Sequence, residues 1–218
     1  DFRYGIDPTA NRRVGYSYST NAGLTWSGSM LLDSMLLPGL TRNSDPVVTV
    51  DTAGNFYIAV IAISPTGGNL TLAVYKSSDG GITFPNAYVS SQTGSEDKEW
   101  IASDLTPASP FVNNLYISWT SFSLSGIRVV RSTNGGANWS TSVPVSGTTG
   151  DVQGSNICVS ASGQVNVVWL QFSTNGIVKF DRSTDGGITF GTDVTVSSGL
   201  FPDGLPNDTY TFPTIASD

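Results

Sequence analysis

One eight-residue pattern recurs four times along this chain, and an internal repeat constrains a fold more tightly than any other single sequence feature. The copies are Ser19-Thr20-Asn21-Ala22-Gly23-Leu24-Thr25-Trp26, Ser77-Ser78-Asp79-Gly80-Gly81-Ile82-Thr83-Phe84, Ser132-Thr133-Asn134-Gly135-Gly136-Ala137-Asn138-Trp139 and Ser183-Thr184-Asp185-Gly186-Gly187-Ile188-Thr189-Phe190. Their third positions, Asn21, Asp79, Asn134 and Asp185, lie 58, 55 and 51 residues apart. A unit of that length holds about four short strands, and such units stack into solenoids or propellers.

The stretches before the boxes alternate apolar and polar residues, at 14–18, 70–75, 127–131 and 177–182. Period-two alternation rich in β-branched and aromatic residues marks half-buried strands. A second recurring segment is more apolar and comes in pairs: 47–51 with 55–61, 100–104 with 115–119, and 156–160 with 165–169. These predict hairpins of two central strands, joined by turns such as Thr52-Ala53-Gly54-Asn55 and Ala161-Ser162-Gly163-Gln164. No amphipathic helical period appears. The expected fold is all-β, a propeller of four-stranded antiparallel blades with each box on the turn between third and fourth strands. At this spacing the 218 residues make about four blades, in one domain over 1–218. A blade cannot bury both faces alone, so it stacks on neighbours around an axis.

The ends bear on completeness. Residues 1–18 leave little room for an inner hairpin before the first box, and Pro213-Thr214-Ile215-Ala216-Ser217-Asp218 repeats the start of an inner strand seen at 46–51. Either the chain is part of a larger propeller whose other blades lie elsewhere, or terminal strands or a second chain close the ring. An open arc would expose apolar faces and strand edges, which natural proteins avoid.

Within a box the chemistry is local. Ser and Asp or Asn side chains bond nearby backbone N–H groups and staple a tight turn. Gly23, Gly81, Gly136 and Gly187 supply positive φ or close approach, and the closing Trp26, Phe84, Trp139 and Phe190 are expected to bury a ring against the blade. A turn staple explains the repeated Asn21, Asp79, Asn134 and Asp185 better than metal ligation, because two of the four are amides.

Ser-x-Asp-x-Gly-x-Thr-Trp/Phe resembles the Asp-box, or BNR repeat, of sialidases and sialidase-like β-propellers. The boxes at 19–26, 77–84, 132–139 and 183–190 and their intervening segments carry the resemblance over nearly the whole chain. Lys76, Arg131 and Arg182 precede three of the boxes, as is common in that family, and Asp97-Lys98-Glu99-Trp100-Ile101-Ala102-Ser103-Asp104 looks like the inner-strand signature of secreted BNR-repeat proteins. The resemblance implies a propeller of about six to eight blades, a secreted or cell-surface location and action on glycans. It also implies that the boxes lie on the rim away from the active face.

Composition excludes several chemistries. The chain has no His and one cysteine, Cys158, so Ser-His-Asp catalysis, His-ligated metals and an internal disulfide are ruled out. A net charge of −7 argues against nucleic acid as a partner. No run of 18 apolar residues marks a membrane span, and Asp1-Phe2-Arg3-Tyr4 lacks the character of a signal peptide. Cys158 falls in an inner strand and reads as a small core residue.

Sialidase-type catalysis, as the resemblance implies it, uses a Tyr–Glu pair, an Asp acid/base and three arginines that clamp the substrate carboxylate. Glu occurs only at Glu96 and Glu99, and no Tyr–Glu pair can be assigned. Phe2-Arg3-Tyr4-Gly5 is only a faint match to the family's arginine motif. Arg131 and Arg182 read as blade-edge residues.

The active face of such a fold is built by the loops entering the inner strands, here 38–46, 92–100, 148–156 and 201–213. The ligand-binding candidates on them are Arg42, Asp45, Asp97, Glu99, Trp100 and Asp151, and the last loop carries Asp203, Asp208 and Tyr210. Acids beside aromatics suit sugar hydroxyls. No cofactor is required, but Ca²⁺ with oxygen ligands is an option, and Glu96, Asp97 and Glu99 are its candidates. Solvated turn residues balanced by Lys98 are the competing reading. The functional expectation is a secreted glycan-binding or glycan-processing propeller; the alternative is a non-catalytic adhesion or interaction module.

Overall fold

A computed structural model of the chain describes residues 13–65, 70–147, 151–173, 176–199 and 212–217. Phe2–Gly5 of the sequence, Asp203, Asp208 and Tyr210 lie outside them.

The described residues form antiparallel sheets, as the alternation requires. A short pair, β1 (Gly15–Tyr16) and β2 (Met30–Leu31), comes first, followed by a single 3₁₀ turn at Ser34–Leu36. Three complete four-stranded sheets follow. The first blade is β3 (Arg42–Val50), β4 (Phe56–Ile63), β5 (Leu70–Ser77) and β6 (Asn86–Gly94). The second is β7 (Glu96–Ser103), β8 (Leu115–Ser121), β9 (Ile127–Ser132) and β10 (Val143–Pro144). The third is β11 (Val152–Val159), β12 (Val165–Gln171), β13 (Ile177–Ser183) and β14 (Val194–Ser198). In each, strand order follows chain order, so β3, β7 and β11 are the first strands of their blades. No helix among the described residues is long and apolar enough to cross a membrane.

The blades stack through both faces of their central strands. In β4, Tyr57, Ala59 and Ile61 pack towards the second blade with Leu115, Ile117 and Trp119, while Ile58, Val60 and Ala62 pack the other way with Val14, Leu32 and Tyr75. Tyr116, Ile127 and Val129 of the second blade meet Ile157, Val165, Val167 and Trp169 of the third. Burial on both faces is why 56–63, 115–121 and 165–171 read as nearly continuous apolar runs.

Each box turns from third to fourth strand, and the pair β1–β2 carries the first box in the same position. The four turns share one hydrogen-bond plan. The serine Oγ accepts the amide of Gly23, Gly81, Gly136 or Gly187 at 2.9 Å in every copy. Asn21, Asp79, Asn134 and Asp185 each accept the amide four residues on, at 2.9–3.0 Å. The box side chains are thus used within their turns. The closing rings differ from expectation. Phe84 is buried and Trp139 and Phe190 are partly so, but Trp26 is 65% exposed. No complete sheet precedes β1 among the described residues to cover it.

The two ionised boxes should titrate and the two amide boxes should not. Hydrogen bonds from the Thr83 hydroxyl and amide and from Ser77 hold Asp79 down at about 2. At Asp185 slight burial opposes the shift, but bonds from Thr189 and Ser183 prevail and hold it at about 2. A carboxyl depressed in the folded state contributes stability above its unfolded value near 4 that is lost as pH falls towards 2. Asp79→Asn, which copies Asn21 and Asn134, is expected to flatten part of that acid-side loss while leaving the fold intact at pH 7. Denaturant titrations between pH 2 and 6 would check it, and an unchanged pH slope would contradict it.

Candidate functional site

The strand order places the start of every inner strand at one end of the stack and every box at the other. The inner strands share an irregularity there. Register slips by one residue between Ser44 and Val47, between Asp97 and Trp100, and between Gln153 and Asn156. These are β-bulges at the same level of three successive blades. The first bulged residue is left-handed in each: Asp45 (φ 53°), Lys98 (φ 54°) and Gly154 (φ 70°). A bulge bends its strand and re-aims its side chains. Pro46 fits the first because a bulge leaves an amide unpaired.

The segments that the sequence suggested were loops therefore begin as strand. Arg42, Asp45, Glu96, Asp97, Glu99 and Trp100 all lie within β3 or β7. Alternation could not reveal this, because one extra residue breaks the period-two pattern at that point.

The three bulges and the segment Phe212–Thr214 enclose a cavity of about 270 Å³. Asp45, Lys98, Glu99, Trp100 and Phe212 line it, with Gly154, Ser155 and Asn156 on the third wall. Phe212 lies against Gly154, where a Cβ would fall 1.8 Å from the ring. The amide of Ile215 donates to Asn156 Oδ1 at 3.2 Å and fixes the segment to β11. Lys98 Nζ sits 5.8 Å over the Phe212 ring and 4.0 Å from Asp45 Oδ2. Asp97 accepts Gln153 Nε2 at 2.6 Å, a bond from the second blade to the third. Trp100 remains 39% exposed.

Glu99 stands apart. It is 3% exposed, and neither carboxylate oxygen has a hydrogen-bond partner. Burial pushes its carboxyl well above the ordinary carboxylate value; Asp45 and Asp97 add to this, and Lys98 offsets it only in part.

The other candidates do not converge on the cavity. Arg42 Nη2 donates to the carbonyls of Ser64 and Pro65, at 3.0 and 3.3 Å, while its Nε is buried without a hydrogen-bond partner. Asp151 is exposed just before β11. Glu96 is fully buried at the start of β7 and accepts Ser91 Oγ of the first blade at 3.3 Å. Glu96, Asp97 and Glu99 thus go three ways, and among the described residues no three His, Cys, Asp or Glu side chains form a group that could hold a metal. The acids are balanced between blades, not within one loop: Lys98 faces Asp45, and Gln153 holds Asp97. The wall residues Gly154, Ser155, Asn156 and Phe212 were absent from the sequence candidates. Aligning the inner strands on Pro46, Glu99, Ser155 and Pro213 would have found them.

Nor do the described residues assemble the set the resemblance implied. Arg128, Arg131 and Arg182 bond Ser142, Gly186 and Asn166 within or beside their own sheets. Tyr75 and Tyr116 are pushed up to about 12 by burial, and Tyr57 is raised by burial and by Asp51, to which its hydroxyl donates at 2.8 Å. Cys158 is half-buried in β11, with its thiol raised by burial.

Solved structures share this architecture. A protein of unknown function from Dyadobacter fermentans superposes with a TM-score of 0.60 at 15% identity, over 88% of this chain and 61% of its own. The NanB sialidase of Streptococcus pneumoniae, as its K499G mutant, gives 0.58 at 10% identity, over 88% and 48%. The fold is that of the sialidase propellers. An α-L-arabinofuranosidase of Fusarium graminearum gives 0.55 at 14% identity, over 72% of this chain and 49% of its own. At these identities the likeness is one of fold, and the chain spans about half to three-fifths of these structures. No family model and no curated protein matches the sequence.

Proposed function

We propose that this chain belongs to a secreted or cell-surface Asp-box propeller that binds glycans at its axial cavity. The carrying observation is the cavity itself: three aligned bulges place carboxylates, an ammonium and a half-exposed tryptophan around one small opening. Sialidases and an arabinofuranosidase among the fold neighbours support glycans as the ligand class. The scarcity of Lys and absence of His support an extracellular location. The full protein acts on the glycan only if blades outside this chain supply the arginines and nucleophile. The commitment of Arg42, Arg128, Arg131 and Arg182 to their own surroundings favours the second reading, a binding or adhesion module without hydrolysis.

A glycan array with cleavage assays on reporter glycosides separates the two. Glycan binding that Trp100→Ala abolishes, with stability changed by less than about 1 kcal/mol as for an exposed side chain, is the expected result. Binding without cleavage would favour the module. Silence towards every glycan by the full-length protein would refute the reading.

A further inference from the structure

The resemblance to sialidases implied arginines that clamp a substrate carboxylate, but among the described residues no arginine lines the axial cavity. The accessible charges around it are one of each sign. Lys98 and Asp45 face each other at 4.0 Å, with side chains 43% and 47% exposed. Asp97 is held by Gln153 at 2.6 Å, and both Glu99 oxygens are sealed away from the opening. A carboxylate entering here would find one ammonium already shared with Asp45 and would meet the Asp45 charge beside it. The site therefore offers an anion no net attraction, and a like charge costs specificity.

Asn156 supplies an independent observation. It follows the bulge of β11 as Val47 and Trp100 follow those of β3 and β7, each the first residue back in register with its second strand. Equivalent strand positions turn their side chains the same way around the stack, and all three line the cavity. Asn156 is 4% exposed. Its Oδ1 accepts the Ile215 amide at 3.2 Å, which fixes which way the side-chain amide points. Nδ2 then keeps two donor hydrogens with no partner among the described residues, and it is not among the polar atoms sealed as the Glu99 oxygens are. A buried donor left unpaired is costly, and one bordering a cavity is satisfied by an acceptor placed in that cavity.

Resting on the glycan reading above, we infer that the axial cavity selects an uncharged sugar, whose hydroxyl oxygen accepts from Asn156 Nδ2, whose hydroxyl donates to Asp45 and whose ring face lies on Trp100. Each group the cavity offers is one a neutral polyol uses: a neutral donor, a carboxylate acceptor and the aromatic walls Trp100 and Phe212. Lys98 stays with Asp45 and needs no ligand charge to balance it. The volume of about 270 Å³ lies below the roughly 300–1,000 Å³ of sites for drug-sized ligands, which suits one terminal sugar.

Isothermal titration calorimetry with the methyl glycosides of glucose, galactose and mannose, each against its matching uronic acid, tests this. The members of a pair differ only in a hydroxymethyl or a carboxylate group. At least one neutral glycoside is expected to bind, and its uronate at least about tenfold more weakly. Asn156→Asp keeps an oxygen for the Ile215 amide and replaces the donor by a carboxylate oxygen. It should weaken the neutral glycoside by a similar factor while the Ile215 amide keeps its protection from hydrogen exchange. Asn156→Ala should lose both, which separates the donor from the anchoring of the segment. A uronate that binds as tightly as its neutral partner, or undiminished binding in Asn156→Asp, would overturn the inference. The uronate comparison needs no variant, so it decides whatever either substitution does to the fold. Silence towards all the neutral glycosides would also overturn it. The glycan reading would then still stand if acidic glycans bound on an array, and would fall with it if the array were silent.

Discussion

Trp119→Ala is expected to destabilise the chain by about 3–5 kcal/mol, the range for deleting a buried aromatic side chain. Trp119 sits on β8, fully buried, in the layer where the first and second blades meet. Tyr57, Ile61 and Leu72 of one blade and Ile117 and Val130 of the other share that layer. Removing the indole leaves a void between two sheets whose backbones are held by their own ladders and cannot collapse into it. A domain has about 5–15 kcal/mol in all, so this one change threatens the fold. Trp119 Nε1 has no hydrogen-bond partner. Trp119→Phe removes that unsatisfied donor along with part of the ring, so its loss should be clearly smaller than that of the alanine variant. Denaturant unfolding followed by circular dichroism measures both. A loss under about 1 kcal/mol for Trp119→Ala would mean that the blades do not pack as described.

Gly154→Ala is expected to detach the 212–217 segment from β11 and open the axial cavity. Two costs combine. The backbone is left-handed at φ 70°, which penalises a Cβ by roughly 1–2 kcal/mol. The new methyl would also fall 1.8 Å from the Phe212 ring, and that ring must leave. Asp45 and Lys98 hold the same left-handed bulge position in the other blades with a Cβ already in place, so Asp45→Gly and Lys98→Gly should be neutral or mildly stabilising at the backbone level. Hydrogen exchange reports the difference directly. The Ile215 amide, bonded to Asn156 Oδ1, should lose protection in Gly154→Ala and keep it in Lys98→Gly. Retained protection in Gly154→Ala would show that Phe212 does not rest on Gly154.

Trp119 and the boxes show what can be read along a chain. Trp119 lies in a run, 115–121, whose apolar character announces a strand covered on both faces. Asp79 and Asp185 lie in boxes where the bonds accepted by their own side chains and by the box serines span at most four residues, so their turns follow from local chemistry. Repeat length, strand alternation and box chemistry together determined the blade, its four strands and the place of the box. All of these depend on neighbours close in sequence or on a pattern repeated every 51 to 58 residues.

The cavity was decided elsewhere. It joins Asp45, Lys98, Gly154 and Phe212, each taken from a different inner strand or segment, and no local pattern encodes that meeting. The bulge that aims them interrupts the alternation by which a strand is recognised. Charge pairing crosses the blades for the same reason: Lys98 lies near Asp45 of the preceding inner strand, and Gln153 near Asp97, only once the sheets stack. The solitary burial of Glu99 is likewise a property of the stacked blades. Sequence alone determined the repeating unit because its interactions are short-range; the tertiary structure alone decided the site because its side chains meet only where successive inner strands converge.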